Sequence, residues 1–305
     1  MGSGTASAPA ADPHGPAIPV VIPPGDDAAA IGSVLHDRGV IADSGRFNGY
    51  VKAQGEGSDF KAGTYTFRAG TGYDAIIARL NAGPTAGYAK LVIPEGFRLT
   101  QIEGLLPRVG INPRAYAAAV RAAVPPPGFG HHLNMEGFMF PATYLVHPRE
   151  SAATLVSQQL TAFQSAFSQV NMSYARSKHL TPYDVLTVAS MIEREARVPG
   201  DRAKVSAVIY NRLRRDMPLA IDATILYHLG SWTATIHESD LSDSEPYNLR
   251  VHKGLPPTPI CNPGLASLQA AAHPARVDYL YYVAIPGKAA QYFTASYADF
   301  LAHGG

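Results

Sequence analysis

The feature that most restricts the fold is a strand–helix pattern that occurs twice in the chain. A β-branched run ending at Pro-Pro-Gly precedes a short helical pattern at residues 18–41, and the same order returns 71 residues later. When Ile22 is aligned with Ile93, the apolar residues of the two helical patterns coincide, and each pattern stops at a glycine, Gly39 or Gly110. The sequence therefore predicts two related strand–helix units.

The segment between these units, residues 60–83, has the pattern of a strand, a turn and a helix. It completes a small module at 18–88, and the longer remainder at 89–305 mixes helical and strand-like patterns. Residues 1–17 are small, polar and proline-containing, so we expect a disordered lead. The predicted fold class is α+β, with a small strand–helix module followed by a larger mixed α+β domain.

Helical periodicity marks five segments of the larger domain. They are residues 113–123, 150–170, 181–197, 200–215 and 264–273. Strand-like apolar runs follow at 279–285 and 290–295. The stretch 229–263 is rich in Pro, Asn, Ser and Gly and predicts a long loop. Long loops in compact domains are usually functional, so this one is a natural wall for a substrate groove.

Composition excludes several classes of function. The formal net charge is +1 and no dense Lys/Arg stripe is present, so binding to nucleic acid is not expected. Cys261 is the single cysteine, which rules out an intramolecular disulfide and a cysteine-based metal cluster. His131 and His132 are adjacent and lack a zinc-binding spacing. We expect neither a metal nor a cofactor, and no apolar run reaches the roughly 20 residues that span a bilayer.

Two glutamates lie near the end of the helical pattern at 181–197. Thr181 and Asp184 have the spacing of a capping box at its start. At about 100° per residue, Glu193 and Glu195 point to nearly opposite sides of the helix, and both sides are otherwise apolar. Burial in an apolar stripe raises the pKa of a carboxyl group, which then stays protonated near neutrality and can act as a general acid.

Glu193 is the candidate catalytic acid, and Glu195 is expected to be structural. Glu193 is the neighbour of Ala189 and Ser190, whose small side chains leave room for a ligand. The alternative is that Glu193 pairs with a buried arginine such as Arg212 or Arg214, since ion pairs also perturb carboxylates.

Six further polar residues lie where they could line a substrate groove. They are Glu136, Asn211, Asp222, Tyr247, Asn248 and Asn262. Structural alternatives are a surface turn for Glu136, polar core bonding for Asn211 and a helix cap for Asn262. Turn formation is the alternative for Tyr247 and Asn248.

Several blocks of the sequence resemble, in the same order, the endolytic murein transglycosylase (YceG-like) family. The blocks are MEGFMFPATY, ASMIEREA, VIYNRLRRDMPL, EPYN, HKGLPPTPICNPGLASLQAA and YLYYVA. The resemblance implies a LysM-like N-terminal module on a catalytic domain, with Glu193 as the catalytic glutamate and the six polar residues in the groove. Two departures are AIDA around Asp222, where the family often has Gln-Ser-Asp-Pro, and Gln291, where a histidine is common.

The resemblance also implies a reaction and a location. The enzyme would be a lyase that cleaves the MurNAc–GlcNAc β-1,4 bond of peptidoglycan and leaves 1,6-anhydro ends. It would act at the periplasmic face of the bacterial inner membrane, held by an N-terminal anchor that this sequence lacks. The implied partners are peptidoglycan glycan strands, with peptidoglycan synthases as further candidates.

Two alternatives to that reaction remain open. One is a non-catalytic cell-wall-binding scaffold for peptidoglycan synthases. The other is a pyridoxal-phosphate lyase with Lys204 or Lys253 as the Schiff-base lysine, although neither lysine lies in a recognisable phosphate-binding motif.

Overall fold

The computed structural model describes residues 16–23, 25–55, 60–84, 88–130, 134–148 and 150–304. They form two compact units that divide between Ala89 and Lys90, and each unit has its own hydrophobic core. Residues 1–15 of the predicted lead, which was residues 1–17, lie outside the described residues. Helices and small sheets occur in both units, so the predicted α+β class is confirmed.

The first unit is built from two strands and three helices. In chain order they are β1 (Ile18–Ile22), α1 (Ala28–Asp37), α2 (Ser44–Ala53), β2 (Gly63–Phe67) and α3 (Tyr73–Ala82). β1 and β2 pair antiparallel, with Ile18 opposite Phe67 and Ile22 opposite Gly63. Alternate strand residues and the apolar sides of the helices form one core.

Sequence analysis did not identify α2. The helix contains two glycines, which lower its intrinsic propensity, and its buried residues are only Phe47 and Val51. Its start depends on a side chain outside the helix, since Asp43 Oδ1 accepts a hydrogen bond from Arg46 N at 2.9 Å. A helix held by a cap and two buried residues gives too short a pattern to recognise.

The second unit contains four strands and ten helices among its described residues. In chain order they are β3 (Ala89–Val92), α4 (Leu99–Leu105), α5 (Pro113–Ala122), β4 (Thr143–Val146), α6 (Ala152–Phe167), α7 (Ser173–Ser177), α8 (Pro182–Glu195), α9 (Arg202–Arg214), α10 (Asp222–His228), α11 (Glu238–Ser242), α12 (Leu265–Ala272), β5 (Tyr281–Ala284), β6 (Gln291–Thr294) and α13 (Tyr297–Ala302). β3 pairs with β4, and β5 pairs antiparallel with β6. The five predicted helical segments and both strand-like runs are present, whereas α7, α10, α11 and α13 were not predicted.

The two copies of the repeated pattern have the same local structure. In both copies the helical segment is followed by a glycine in the left-handed region, with φ of 72° at Gly39 and 77° at Gly110. The next backbone N–H then bonds back to a buried leucine carbonyl, Leu35 O at 2.9 Å in the first copy and Leu106 O at 3.2 Å in the second. The predicted pair of related strand–helix units is therefore confirmed.

α8 is the most deeply buried helix of the second unit. Its predicted capping box is present, because Asp184 N donates to Thr181 Oγ1 and Thr181 N donates to Asp184 Oδ2. Every residue from 185 to 192 is buried, and the helix packs against α9, α10 and α12. The last residue of α8 is Glu195, so both glutamates of interest lie at its C-terminal end.

Candidate active site

Glu195 lines a cavity of about 460 Å³. The cavity is enclosed by residues of α9, α10, β5 and α13 and by the loop before α10. Its polar and aromatic lining residues are Arg212, Asp222, Arg250, Tyr281, Tyr282, Tyr297 and Phe300. Ligand sites have this size and this mixture of aromatic walls with a few polar groups.

The carboxyl group of Glu195 has a raised pKa. Burial raises its pKa, and the negative charge of Asp222 adds to the rise. A hydrogen bond from Tyr282 Oη to Glu195 Oε2 (3.1 Å), a backbone hydrogen bond at Ala223 and the charge of Arg194 oppose the rise without cancelling it. The C-terminal end of a helix dipole also disfavours a negative charge. Glu195 therefore has the properties of a general acid.

Asp222 and Arg250 form an ion pair in the same cavity. Arg250 donates to Asp222 Oδ1 through Nε at 3.1 Å and through Nη2 at 2.7 Å. Half of the Asp222 side chain is exposed, so the pair is accessible to a ligand. The pair provides a hydrogen-bond acceptor and a donor at fixed positions near Glu195.

Arg212 holds two walls of the cavity together. Its Nε donates to Leu280 O at 2.6 Å, and its Nη1 donates to Leu219 O at 2.7 Å and to Pro218 O at 3.3 Å. Burial lowers the pKa of this guanidinium. Since these acceptors lie just before β5 and just before α10, Arg212 fixes both segments around Glu195. The sequence left open an ion pair between Arg212 and Glu193, but the ion-pair partner of Glu193 is Arg202.

Asn248 is a structural residue of the long loop. It is 2% exposed and donates to the carbonyls of Asp240, Leu241 and Asp243 at 2.8–3.1 Å. Its Oδ1 accepts a hydrogen bond from Arg250 N at 3.1 Å. The amide therefore shapes the loop that presents Arg250, and it is not itself a lining residue of the Glu195 cavity.

Glu193 faces the other side of α8, and its surroundings are polar. Its side chain is 8% exposed, its Oε2 accepts from Gly264 N at 3.0 Å and its Oε1 lies 3.8 Å from Arg202 Nη2. The sequence predicted apolar surroundings for this carboxylate, but the groups that contact it are polar, and its ion-pair partner is Arg202. The space beside Ser190 is filled as well, because Ser190 Oγ accepts from Ile260 N at 3.0 Å.

A third carboxylate, Glu95, lies in the same neighbourhood as Glu193. Burial and the nearby charge of Glu193 raise the pKa of Glu95, while Arg202 lowers it. Sequence analysis missed Glu95 because it comes from the segment between β3 and α4, distant from α8 in the chain. Two carboxylates around one arginine form a polar contact between these segments.

Glu136 is buried in a polar cluster at the start of α4. It is 3% exposed, so the surface-turn alternative is wrong. Leu99 N donates to both of its oxygens at 3.1 and 3.3 Å, Asn262 Nδ2 donates to Oε1 at 3.0 Å and Tyr227 Oη donates to Oε2 at 3.4 Å. Burial raises its pKa to about 8. These donors occupy both oxygens of the carboxyl group.

Asn262 connects three segments and is fully buried. Besides its bond to Glu136, its Nδ2 donates to Phe97 O at 2.8 Å and its Oδ1 accepts from Met139 N at 2.8 Å. The helix-cap alternative is wrong, since the residue before α12 is Gly264. Glu136 and Asn262 therefore form a structural unit that does not line the Glu195 cavity.

Asn211 and Tyr247 also make structural contacts. Asn211 Nδ2 donates to Val277 O at 3.0 Å and to Tyr279 O at 2.9 Å, which ties α9 to the segment before β5. Tyr247 Oη bonds Thr258 Oγ1 at 2.8 Å across the long loop. Neither residue lines the cavity of Glu195, although Asn211 lines another pocket with Arg276 and Asp278.

Of the seven residues proposed from the sequence, the structure places only Asp222 in the cavity with Glu195. Sequence analysis missed Arg250, Tyr281 and Tyr282 and gave Glu195 a structural role. The adjacent tyrosines of the YLYYVA run were the available signal, although strand alternation predicts only one of them at the cavity, whereas both line it.

The described residues offer no metal site and no membrane-spanning helix. Within the described residues, no group of three His, Cys, Asp or Glu side chains could hold a metal ion, and His131 and His132 lie outside those residues. In the same part of the chain, no helix is both long and apolar enough to cross a membrane. Lys204 bonds Asp201 and Lys253 bonds Asp216, and neither lysine lines the Glu195 cavity.

Comparisons with known proteins agree on one family. The family model described as the YceG-like family matches residues 20–304. A solved structure of a YceG-like protein from Listeria monocytogenes superposes with a TM-score of 0.59 at 30% identity, covering 93% of this chain and 98% of that one.

Two similar curated proteins carry the name endolytic murein transglycosylase. The one from Bacillus subtilis is 33% identical over 280 residues, which cover 86% of this chain and 77% of that protein. The one from Streptococcus pneumoniae R6 is 28% identical over 314 residues, which cover 92% of this chain and 57% of that protein. The chain thus spans little more than half of the streptococcal relative.

Proposed function

The chain belongs to the YceG-like family, and from this premise we propose that it is an endolytic murein transglycosylase that cleaves peptidoglycan glycan strands. The name of its relatives supports the substrate class. The observation that carries the proposal for this chain is the cavity of about 460 Å³ that contains Glu195, a carboxyl group whose pKa is raised by burial. A neutral acid at the wall of a ligand-sized cavity is what glycosidic cleavage requires.

We propose Glu195, in place of Glu193, as the general acid and base. In its neutral form it protonates the O4 of the leaving GlcNAc while the bond to C1 of MurNAc breaks. The resulting carboxylate then accepts the proton of the MurNAc 6-hydroxyl, which attacks C1 and closes the 1,6-anhydro ring. The attacking hydroxyl belongs to the substrate, so proximity assists it and no second carboxylate is needed to activate water.

The neighbours of Glu195 suit both steps, protonation of the leaving oxygen and deprotonation of the 6-hydroxyl. Tyr282 donates to Oε2, which orients the carboxyl group at the wall of the cavity. Asp222 places a negative charge in the same cavity, where it stabilises the positive charge that develops at C1 in the oxocarbenium-like transition state. Arg250 fixes Asp222 in position through two hydrogen bonds.

The test compares two substitutions that lie two residues apart in the last turn of one helix. Glu195→Gln and Glu193→Gln proteins are incubated with purified sacculi, and released muropeptides are analysed by mass spectrometry for anhydro-MurNAc ends. We expect release by the parent and by Glu193→Gln, and almost none by Glu195→Gln. Release by Glu195→Gln at the parent rate excludes Glu195 as the acid, and a parent that binds sacculi without releasing product favours the scaffold alternative.

We further propose that the first unit is a LysM-like module and that the protein acts at the periplasmic face of the inner membrane. The strand–helix–helix–strand order of β1, α1, α2 and β2, with its two strands paired, supports the LysM-like assignment. The location follows from the substrate, which lies outside the membrane. Cell fractionation of the native protein tests the location, and co-purification with peptidoglycan synthases tests the proposed partners.

A further inference from the structure

Three aromatic side chains form the outer part of the Glu195 cavity. Tyr281 of β5 and Tyr297 and Phe300 of α13 all line it. The ring centroid of Tyr281 lies 5.5 Å from that of Tyr297 and 5.2 Å from that of Phe300. The centroids of Tyr297 and Phe300 are 6.1 Å apart. The mechanism above uses none of these rings, so their presence at the cavity needs a separate explanation.

Tyr297 is the ring that remains open to solvent. It is 57% exposed, among the largest exposed fractions of any large hydrophobic side chain described. Tyr281 already has Arg212 near its face, with the guanidinium carbon 5.2 Å from the ring centroid, and stacks on Phe300. A new ligand ring can therefore be stacked on Tyr297 without displacing an existing partner.

The exposure of Tyr297 is not the result of a loosely attached helix. Ser296 Oγ caps α13 by accepting from Asp299 N at 3.2 Å, and Tyr292 Oη donates to Asp299 Oδ2 at 2.7 Å, which ties the helix to β6. The ring of His303 stacks on Tyr292 at 3.9 Å, beyond the last turn. The helix is fixed at both ends, so the position of Tyr297 beside the cavity is defined.

The chemistry of these walls fits a pyranose ring. A sugar has apolar C–H faces and a polar edge of hydroxyl groups, so it needs an aromatic surface beside hydrogen-bonding groups. Tyr297 and Phe300 offer the surface, and the Asp222–Arg250 pair offers an acceptor and donors at the same cavity. A wholly apolar ligand would leave this ion pair without a role.

We propose that Tyr297 and Phe300 form a stacking subsite for a sugar ring of the glycan strand next to the bond that Glu195 cleaves. The inference rests on the proposed function and adds a binding residue to it. The subsite holds the strand against α13 and leaves the chemical step to Glu195. Its contribution is expected in binding and in KM, with kcat little changed.

The experiment measures binding apart from catalysis. In a Glu195→Gln background, the full chain is titrated calorimetrically with purified uncrosslinked glycan strands. Adding Tyr297→Ala is expected to raise Kd about tenfold, the effect of losing a large aromatic contact. Tyr297→Phe, which keeps the ring, and Leu301→Ala, which alters an exposed apolar residue of the same helix outside the cavity, should each stay within about twofold.

The outcomes separate the subsite from the reaction. An unchanged Kd in Tyr297→Ala, or an equal rise in Leu301→Ala, overturns the subsite even if the parent releases anhydro-ended products from sacculi. A tenfold rise confined to Tyr297→Ala supports the subsite even if the parent releases no product, in which case the transglycosylase proposal fails alone. Absence of any binding by the Glu195→Gln protein overturns the subsite directly.

Discussion

Desolvation raises the pKa of two glutamates of the second unit, but these glutamates lie in contrasting environments. Glu136, which contacts the start of α4, has both oxygens bonded by donors from three other residues and does not line the Glu195 cavity. Glu195, at the end of α8, has a tyrosine and one backbone group as hydrogen-bond partners and faces a cavity.

The contrast shows which property marks a catalytic acid. Desolvation raises the pKa in both places, so a raised pKa alone does not distinguish them. A group that transfers protons to a substrate must lie where the substrate can bind, and Glu195 lines a cavity. Both oxygens of Glu136 accept hydrogen bonds that hold segments of the fold together. Four measurements test this difference between Glu136 and Glu195.

The largest expected effect is on catalysis by the two amide variants. Glu195→Gln should lower kcat on sacculi about a thousandfold, because an amide cannot supply the proton. Glu136→Gln should retain kcat within about threefold, since Glu136 does not reach the cavity. Rates of anhydro-muropeptide release check both variants. Equal losses in the two proteins would break the contrast.

The second effect is on stability, where substitution of Glu136 should have the large effect that substitution of Glu195 has on kcat. Glu136→Ala leaves Leu99 N and one of the two N–H groups of Asn262 Nδ2 buried without their acceptor, and it should lower the free energy of unfolding by ~3 kcal/mol. Glu136→Gln keeps one acceptor oxygen and should lose less. Urea unfolding measures both, and an alanine variant as stable as the parent would show that the cluster is not structural.

The third effect is the pH dependence of stability. The pKa of Glu136 is about 8 in the folded protein against an ordinary value of 4.5. The folded state therefore binds more protons than the unfolded state between these values, and the free energy of unfolding falls as pH rises through this window. One such group contributes a slope of at most about 1.4 kcal/mol per pH unit.

Urea unfolding at a series of pH values checks this slope. Glu136→Gln should have a flatter dependence than the parent between about pH 5 and pH 8. Asp216→Asn is a suitable control, because Asp216 is an exposed carboxylate whose ion-pair partner, Lys253, does not bond Glu136. A parent whose stability is constant or rises across the window would contradict the burial of a neutral Glu136.

The smallest expected effect concerns Asp222. Its charge raises the pKa of Glu195, so Asp222→Asn should lower that pKa and move the alkaline limb of the kcat/KM profile to lower pH. The shift should be below about one pH unit, because Asp222 is half exposed and its field is screened. Asp216→Asn should leave the limb in place. A shift to higher pH would contradict the assigned interaction.

Local sequence patterns were sufficient for most of the fold. The capping box of Thr181 and Asp184 lies within one turn, so α8 could be predicted from neighbouring residues. The glycine stops of the repeated unit are equally local, and the structure has both of them. α2 was missed because its glycines conceal the helical pattern, and its stability comes from burial of Phe47 and Val51 against other elements.

The candidate site could not be predicted in the same way. Periodicity placed Glu193 and Glu195 on opposite sides of α8, but it could not show which side faces a cavity. The small residue Ser190 suggested room beside Glu193, whereas that room is filled by a loop whose Ile260 N bonds Ser190 Oγ. The walls around Glu195 come from residues that are distant in sequence, which a single-helix pattern does not contain.

The hydrogen bonds of Arg212 have a consequence for the order in which the protein matures during translation. This arginine joins the carbonyls of Pro218 and Leu219 to that of Leu280, so the two walls cannot meet until Leu280 has left the ribosome. A nascent chain that already carries Glu195 therefore lacks the chamber in which that acid works. Under the proposed mechanism, glycan-cleaving activity can therefore appear only after Leu280 has been synthesised and both walls have met.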